Sequence, residues 1–544
     1  VTPDRRQFLD RAAAAVAAGS LPGWGRAAGP AGKGLVTGQP QGAEAGKAVL
    51  AAGGNAVDAV VAAALTAGVV AITSTGIGGY GGHLVVARPG GQVTAIDFNT
   101  TGPAAAKPDM FPAFPADDKG AVKGNVNTHG WLAAGVPGAL AGLQLALDKF
   151  GTMTFPEVVK PAIRYARDGF PLPRGIAAAI KTAHNQFAGD PGSAKLFLRD
   201  GEPLGEGAVF RNPDLADLLQ ALAEKGRVDA FYKGDIADKI AAAFRKNGGL
   251  VTANDLAAYR AVEVKPLALE WRGYALYTPP PTAGGLTALQ ALACLKALGW
   301  PNGDPKGPAT AHARVEALRI AWADRLRLLG DPKHADVPVG KLLSERYARE
   351  SAERVRAAVR DKKPVEIASE QRPAGGTIHL NAVDAAGMAV ALTFTHGNAF
   401  GSQVTVDGLG LTLGHGMSRF DPRPGRPNSP GPGKRPLHNM CPTVVTKDGK
   451  PVLAIGATGG RRIPNTVFDV LAYRLGEGRP LAEAVKAPRA HTEGDLALSL
   501  EASWPAEVVE RFKQVGYEVR TGGGANLNAI ERDPTTGELK AAAR

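Results

Sequence analysis

Hydrophobic and polar positions fall into blocks whose period changes along the chain. From Val57 to Val70 nearly every position is apolar, which predicts a helix buried all round and capped by Asn55. His83 to Arg88 and Val93 to Phe98 are short apolar runs on either side of Pro89-Gly90-Gly91, the pattern of two strands joined by a turn. Between about Leu132 and Ala323 helical patterns dominate, and Thr252-Ala253-Asn254-Asp255 carries the residues of a helix start. Strand patterns return at Leu267 to Tyr277 and again after Thr377. Polar, proline-bearing stretches separate these blocks. Asp361 to Gly376 reads as a surface linker, and residues 421–434, with Pro422, Pro424, Pro427, Pro430 and Pro432, as an extended loop.

The block after Gly376 is a hairpin with a readable register. Thr377-Ile378-His379-Leu380-Asn381-Ala382-Val383 and Met388-Ala389-Val390-Ala391-Leu392-Thr393-Phe394-Thr395 flank Asp384-Ala385-Ala386-Gly387. A three-residue turn, Ala385 to Gly387, with glycine in the left-handed position pairs Asp384 with Met388. Counting back along the ladder sets Thr377 opposite Thr395. Directly opposed side chains share a face, with Cβ atoms about 5 Å apart.

Composition narrows the function classes. The chain has 544 residues, 44% of them apolar, which is a soluble enzyme's balance and more than one ordinary domain core needs. Its net charge of +12 comes from 63 basic and 51 acidic side chains that are scattered rather than striped. Nucleic-acid binding asks for a basic patch with interleaved aromatics, and aromatics are only 6% here. Cys294 and Cys441 form no disulfide framework and have no metal-site spacing. The ten histidines contain no H-x-x-x-H pattern, which argues against a metal hydrolase. At the N-terminus, Asp4-Arg5-Arg6-Gln7-Phe8-Leu9-Asp10 has the twin-arginine pattern, followed by a mildly apolar run from Ala12 to Leu21. That run is too short to span a bilayer, so residues 1–30 are expected to be a targeting segment, with export of a folded precursor to the periplasm or beyond.

Two glycine motifs point in opposite directions. Gly76-Ile77-Gly78-Gly79-Tyr80-Gly81 fits G-x-G-x-x-G literally, but a helix precedes it and a strand follows, the reverse of a dinucleotide site. Gly375-Gly376-Thr377 is the informative one. Alone, Gly-Thr ahead of a strand is a turn. If the Gly376–Thr377 bond breaks, however, the new chain starts with a residue carrying both a hydroxyl nucleophile and an α-amine of pKa about 7.7–8.0.

Other segments give this hairpin a context. Gly53-Gly54-Asn55-Ala56-Val57-Asp58-Ala59, Thr75-Gly76-Ile77-Gly78-Gly79, Ala133-Ala134-Gly135-Val136-Pro137-Gly138 and Pro279-Pro280-Pro281-Thr282-Ala283-Gly284-Gly285 come first. Ala323-Asp324-Arg325, Gly330-Asp331-Pro332, Lys434-Arg435-Pro436-Leu437, Gly459-Gly460, Ala487-Pro488-Arg489 and Gly523-Gly524-Ala525-Asn526 follow in order. Together with the hairpin they resemble the γ-glutamyltranspeptidase family of N-terminal nucleophile hydrolases along almost the whole chain.

The resemblance implies an α+β, four-layer αββα sandwich built from two chains cut from one precursor: residues 31–376 as the large subunit and 377–544 as the small one. It makes Thr377 the nucleophile and its α-amine the base, Thr395 the supporting hydroxyl, and the N–H groups of Gly459 and Gly460 the oxyanion hole. No metal or cofactor is implied. The partners expected are a small-molecule amide and either water or an amine acceptor. Specificity departs from the family. Its carboxylate-holding arginine falls on Asn99 and its serine pair on His438-Asn439. The three residues that hold the glutamyl α-amine fall on Gly397, Gly416 and Arg419. Arginine in place of aspartate turns attraction for an ammonium into repulsion, worth several kcal/mol at an effective dielectric of about 20. The activity implied is hydrolysis, or acyl transfer, of γ-glutamyl or related amides through a threonyl acyl-enzyme. In the alternative, a divergent acylase, Arg419, His438 and Asn439 instead receive a carboxylate without a neighbouring ammonium, as in glutaryl- or oxamate-like amides. The family's lid, reduced here to Asp421 to Gly433, leaves a more open site. A non-catalytic protein that kept the fold is the remaining alternative.

Overall fold

The computed structural model describes residues 34–114, 120–301, 303–305, 307–367 and 377–544. The twin-arginine segment and Gly376 lie outside them. Two six-stranded sheets form the centre. The first contains β1 (Leu35–Thr37), β2 (Gly81–Ala87), β3 (Val93–Asp97), β4 (Val262–Val264), β7 (Ile378–Val383) and β8 (Ala389–Thr395), in the order β1-β7-β8-β2-β3-β4. The second contains β5 (Leu267–Trp271), β6 (Tyr274–Thr278), β9 (Thr443–Lys447), β10 (Lys450–Thr458), β11 (Asn526–Arg532) and β12 (Leu539–Ala543), in the order β12-β11-β10-β9-β6-β5. Each sheet mixes strands from before and after position 376, so the two segments share one core. The strand pattern expected from Leu267 to Tyr277 resolves into a hairpin, β5 and β6, turned at Arg272 and Gly273, both with positive φ.

Helices cover the outer faces. The first sheet packs against α1 (Pro40–Ala51), α2 (Ala56–Val70), α3 (Ala139–Phe150) and α4 (Lys160–Asp168). The second packs against α5 (Gly285–Leu298), α6 (Pro308–Leu328), α7 (Glu345–Asp361) and α8 (Arg462–Leu471). A third apolar layer, with Val85, Val383, Ala391, Val444, Ala454 and Ile530, fills the space between the sheets. This is the four-layer αββα sandwich. As expected, α2 is buried along its whole length and capped by Asn55, whose Oδ1 accepts from the Val57 and Asp58 N–H groups.

The hairpin after position 376 has the expected register. Ile378 faces Phe394, Val383 faces Ala389, and Asp384 N–H donates to Met388 O over 3.1 Å. Asp384 also closes its own turn and accepts from Ala56 N–H at the start of α2 over 3.0 Å, where the helix dipole favours a carboxylate. Alternation divides the strand: Ile378, Leu380 and Ala382 enter the helix-facing core, while His379 and Asn381 face the second sheet.

A buried polar network holds the two sheets together on that inner face. Asn381 Nδ2 donates to Asn528 Oδ1 over 2.7 Å, and Asn528 Nδ2 donates to His379 O over 3.1 Å. The His379 ring bonds Thr393 Oγ1 and Asn381 Oδ1 and lies directly over Gly456, where an added Cβ would stand 2.2 Å from the ring. Gly456→Ala should therefore cost about 1–3 kcal/mol through overpacking and lower the thermal midpoint. An unchanged midpoint would show that the sheets separate freely here.

Candidate active site

The sandwich brings two strand ends to one region. Thr377 immediately precedes β7, is buried, and lies on the same face as His379, which looks toward the second sheet. Gly459 and Gly460 follow β10 of that second sheet and lead into α8. Both have positive φ, 145° and 61°, a backbone that glycine adopts without strain. Neither N–H has a protein acceptor among the described residues. Two inward N–H groups at a helix start suit a developing oxyanion.

Thr395 closes β8 opposite Thr377, as the register required. Its Oγ1 accepts from Gly397 N–H over 2.7 Å and bonds Ser74 O over 3.4 Å. The hydroxyl is thus oriented by the chain on both sides. Tyr80, buried between the glycines that follow α2, brings its phenol to Thr395 and Arg419. Burial raises the Tyr80 phenol above its ordinary value, and the Arg419 charge opposes that rise.

Arg419 stands on a short helical turn, Gly416–Arg419. Its Nη2 lies 3.0 Å from His415 Nε2, which also accepts from Asn398 N–H over 2.7 Å. His415 Nδ1 is 3.2 Å from Thr128 O. These partners place the His415 proton on Nδ1 and leave Nε2 as an acceptor. Burial, helped by the Arg419 charge, keeps this imidazole neutral, well below its usual pKa. The Arg419 Nε is buried with no hydrogen-bond partner, and its guanidinium makes no ion pair with a carboxylate among the described residues.

His438 shows the same pattern. Its Nδ1 accepts from Met440 N–H over 3.2 Å, which puts the proton on Nε2, and that atom is buried without a partner. The ring meets His83 edge-on at 4.7 Å and Tyr80 at 6.5 Å, so it belongs to the Tyr80–Arg419 group. Asn439 Oδ1 accepts from Arg325 over 3.2 Å. Asn99 is committed to the fold instead: its Nδ2 donates to Thr282 Oγ1 over 2.9 Å and Pro436 O over 2.7 Å, leaving only Oδ1 unpaired.

The family model for gamma-glutamyltranspeptidase matches residues 42–544. The chain belongs to the gamma-glutamyltranspeptidase family. It is 39% identical to the glutathione hydrolase proenzyme of Escherichia coli (strain K12), over 82% of this chain and 79% of that protein. To the Acylase ACY 1 proenzyme of Pseudomonas sp. (strain V22) it is 34% identical, over 92% and 90% of the two chains. Among solved structures it resembles the cephalosporin acylase from Bacillus halodurans, with a TM-score of 0.85, 28% identity and 97% coverage of both chains. It is therefore an enzyme of the N-terminal nucleophile hydrolase type, and its relatives include both glutathione hydrolases and acylases.

Two residues packed against Arg419 were missed in the sequence. Tyr80 is the one bulky side chain in Gly78-Gly79-Tyr80-Gly81-Gly82, a run set aside as a false dinucleotide motif. His415 lies between Gly414 and Gly416. In both cases the flanking glycines were the signal. A Cβ at Gly397 would stand 1.9 Å from the His415 ring, and one at Gly416 would stand 2.9 Å from Tyr80 Cβ. The space near Arg419 is filled by two rings that only glycine neighbours admit.

Burial holds five histidines of this region neutral. His83 and His379 are lowered to about 4, His396 to about 3, and His415 and His438 well below 6.5. Unfolding lets each bind a proton near pH 6.5, so their contribution to stability is complete above that pH and is lost as pH falls toward about 4. The thermal midpoint should begin to fall below about pH 6.5. A profile level to about pH 5, falling only through the carboxylate range, would contradict this.

Proposed function

We propose that this chain is an autoprocessed threonine amidohydrolase whose acyl pocket takes a carboxylate-bearing acyl group without a neighbouring ammonium. Thr377 Oγ1 first attacks the Gly376 carbonyl, shifting that acyl group from nitrogen to oxygen; water then hydrolyses the ester, cutting the precursor into 31–376 and 377–544 after a targeting segment directs its export. The freed α-amine then takes the hydroxyl proton as Oγ1 attacks the substrate amide. Thr395 orients the nucleophile, and the Gly459 and Gly460 N–H groups receive the oxyanion. Losing one such donor typically costs about 2.7–4 kcal/mol of transition-state stabilisation. The leaving amine takes the proton back, and water or an amine acceptor resolves the threonyl ester.

The observation that carries the substrate assignment is the Arg419 guanidinium, which meets neutral groups, His415 and the Tyr80 phenol, and no carboxylate among the described residues. A half-buried cation without a counter-charge is costly unless an anion completes it. The unpaired His438 Nε2–H adds a second donor suited to the same carboxylate. An α-ammonium would meet Arg419 as a like charge. The alternative is γ-glutamyl hydrolysis, which the names of the glutathione hydrolase relatives favour.

Anilide release from glutaryl and γ-glutamyl substrates, measured side by side, separates the two. The glutaryl compound should be preferred by at least tenfold, corresponding to about 1.4 kcal/mol. Preference for the glutamyl compound would overturn the assignment. Thr377→Ala should remain a single chain and release nothing.

A further inference from the structure

One residue of the loop at 421–433 connects the two segments that carry the donors described above. Asn428 is 1% exposed. Its Nδ2 donates to the Arg419 carbonyl over 2.7 Å, and its Oδ1 accepts from Leu437 N–H over 2.8 Å. Arg419 and His438, which follows Leu437, supply the two unpaired donors, so a single amide spans the two segments that carry them. The loop holds that amide firmly. Asp421 N–H donates to Asn428 O over 2.8 Å, and Asp421 pairs with Arg423 over 2.9 Å. Ser429 Oγ donates to Arg423 O and accepts from Arg426 N–H. On its outer side, Pro427 O lies 2.3 Å from where a Cβ at Gly330 would stand.

We propose that Asn428 is a positioning residue that fixes the separation of the Arg419 and His438 donors, and through it the chain length of the dicarboxylic acyl group accepted. This rests on the carboxylate assignment above. The amide supplies a donor for a carbonyl on one side and an acceptor for an N–H on the other. Without it, the Arg419 turn and the Leu437 segment lose their shared reference, and neighbouring acyl lengths become similar in fit.

The test uses the full chain and four anilides: succinyl, glutaryl and adipyl, with valeryl as a control lacking the second carboxylate. For Asn428→Ala and Asn428→Asp, kcat/KM for the best dicarboxylic substrate should fall about tenfold, mainly through KM, as expected for a lost buried hydrogen bond. Discrimination among the three lengths should shrink, while valeryl turnover stays within about twofold, since independent terms add. Asn428→Asp keeps the shape and the acceptor for Leu437 N–H, and it carries the test if the alanine variant does not process itself. An equal loss for valeryl, unchanged length selectivity, or failure of both variants to process would overturn the proposal. Wild type treating valeryl and the dicarboxylic anilides alike would remove the carboxylate pocket itself. Wild-type discrimination that survives in both variants would remove only the role of Asn428.

Discussion

The close approach of two sheets beneath Thr377 sets everything else in this molecule. His379 rests on Gly456, and Asn381 and Asn528 bond across the gap, so the inner faces meet through satisfied polar groups rather than apolar side chains alone. Buried polar pairs of this kind specify one register, because a slip leaves donors and acceptors unpaired. The end of β7 and the glycine turn after β10 are carried to one place by that register. Both sheets contain strands from both segments, so a cut at position 376 removes no layer of the core.

Against this fixed frame, the recognition end of the site is an electrostatic statement. Arg419 is embraced by a neutral imidazole acceptor and a phenol, with no carboxylate to balance it among the described residues. The His415 tautomer matters here, since only Nδ1 protonation toward Thr128 O leaves Nε2 free to face the guanidinium. The rings of Tyr80 and His415 also occupy space that Gly397 and Gly416 leave open. Charge, shape and backbone freedom are therefore coupled here, since a side chain at Gly397 or Gly416 would collide with the rings that surround Arg419.

Much of the catalytic frame was legible in the sequence because it depends on local rules. The hairpin register followed from a three-residue turn and strict alternation, and it placed Thr377 opposite Thr395. The fully buried α2 and its Asn55 cap followed from an apolar run behind a capping residue. What escaped depends on tertiary packing. The strand pattern from Leu267 to Tyr277 was legible, but the turn that divides it was not, because Arg272 in a left-handed conformation carries no strong local signal. Asn99 looked like a ligand by position, but its amide is spent on Thr282 and Pro436, segments distant in sequence. Tyr80, His415 and Asn428 act through partners far along the chain, and single-residue propensities do not show such contacts. The 421–433 loop was read as a shortened lid over an open site, and the ties made by Asn428, Ser429 and the Asp421–Arg423 pair were not legible in its proline-rich sequence.

The central claim is that Thr377 becomes a chain terminus and carries the acyl group. Intact-mass spectrometry of the purified protein, before and after brief exposure to an activated glutaryl ester, tests it most directly. Two chains should be present, the smaller starting at Thr377, and the glutaryl adduct should sit on that terminal threonine. A single uncut chain, or an adduct on any other residue, would contradict the account.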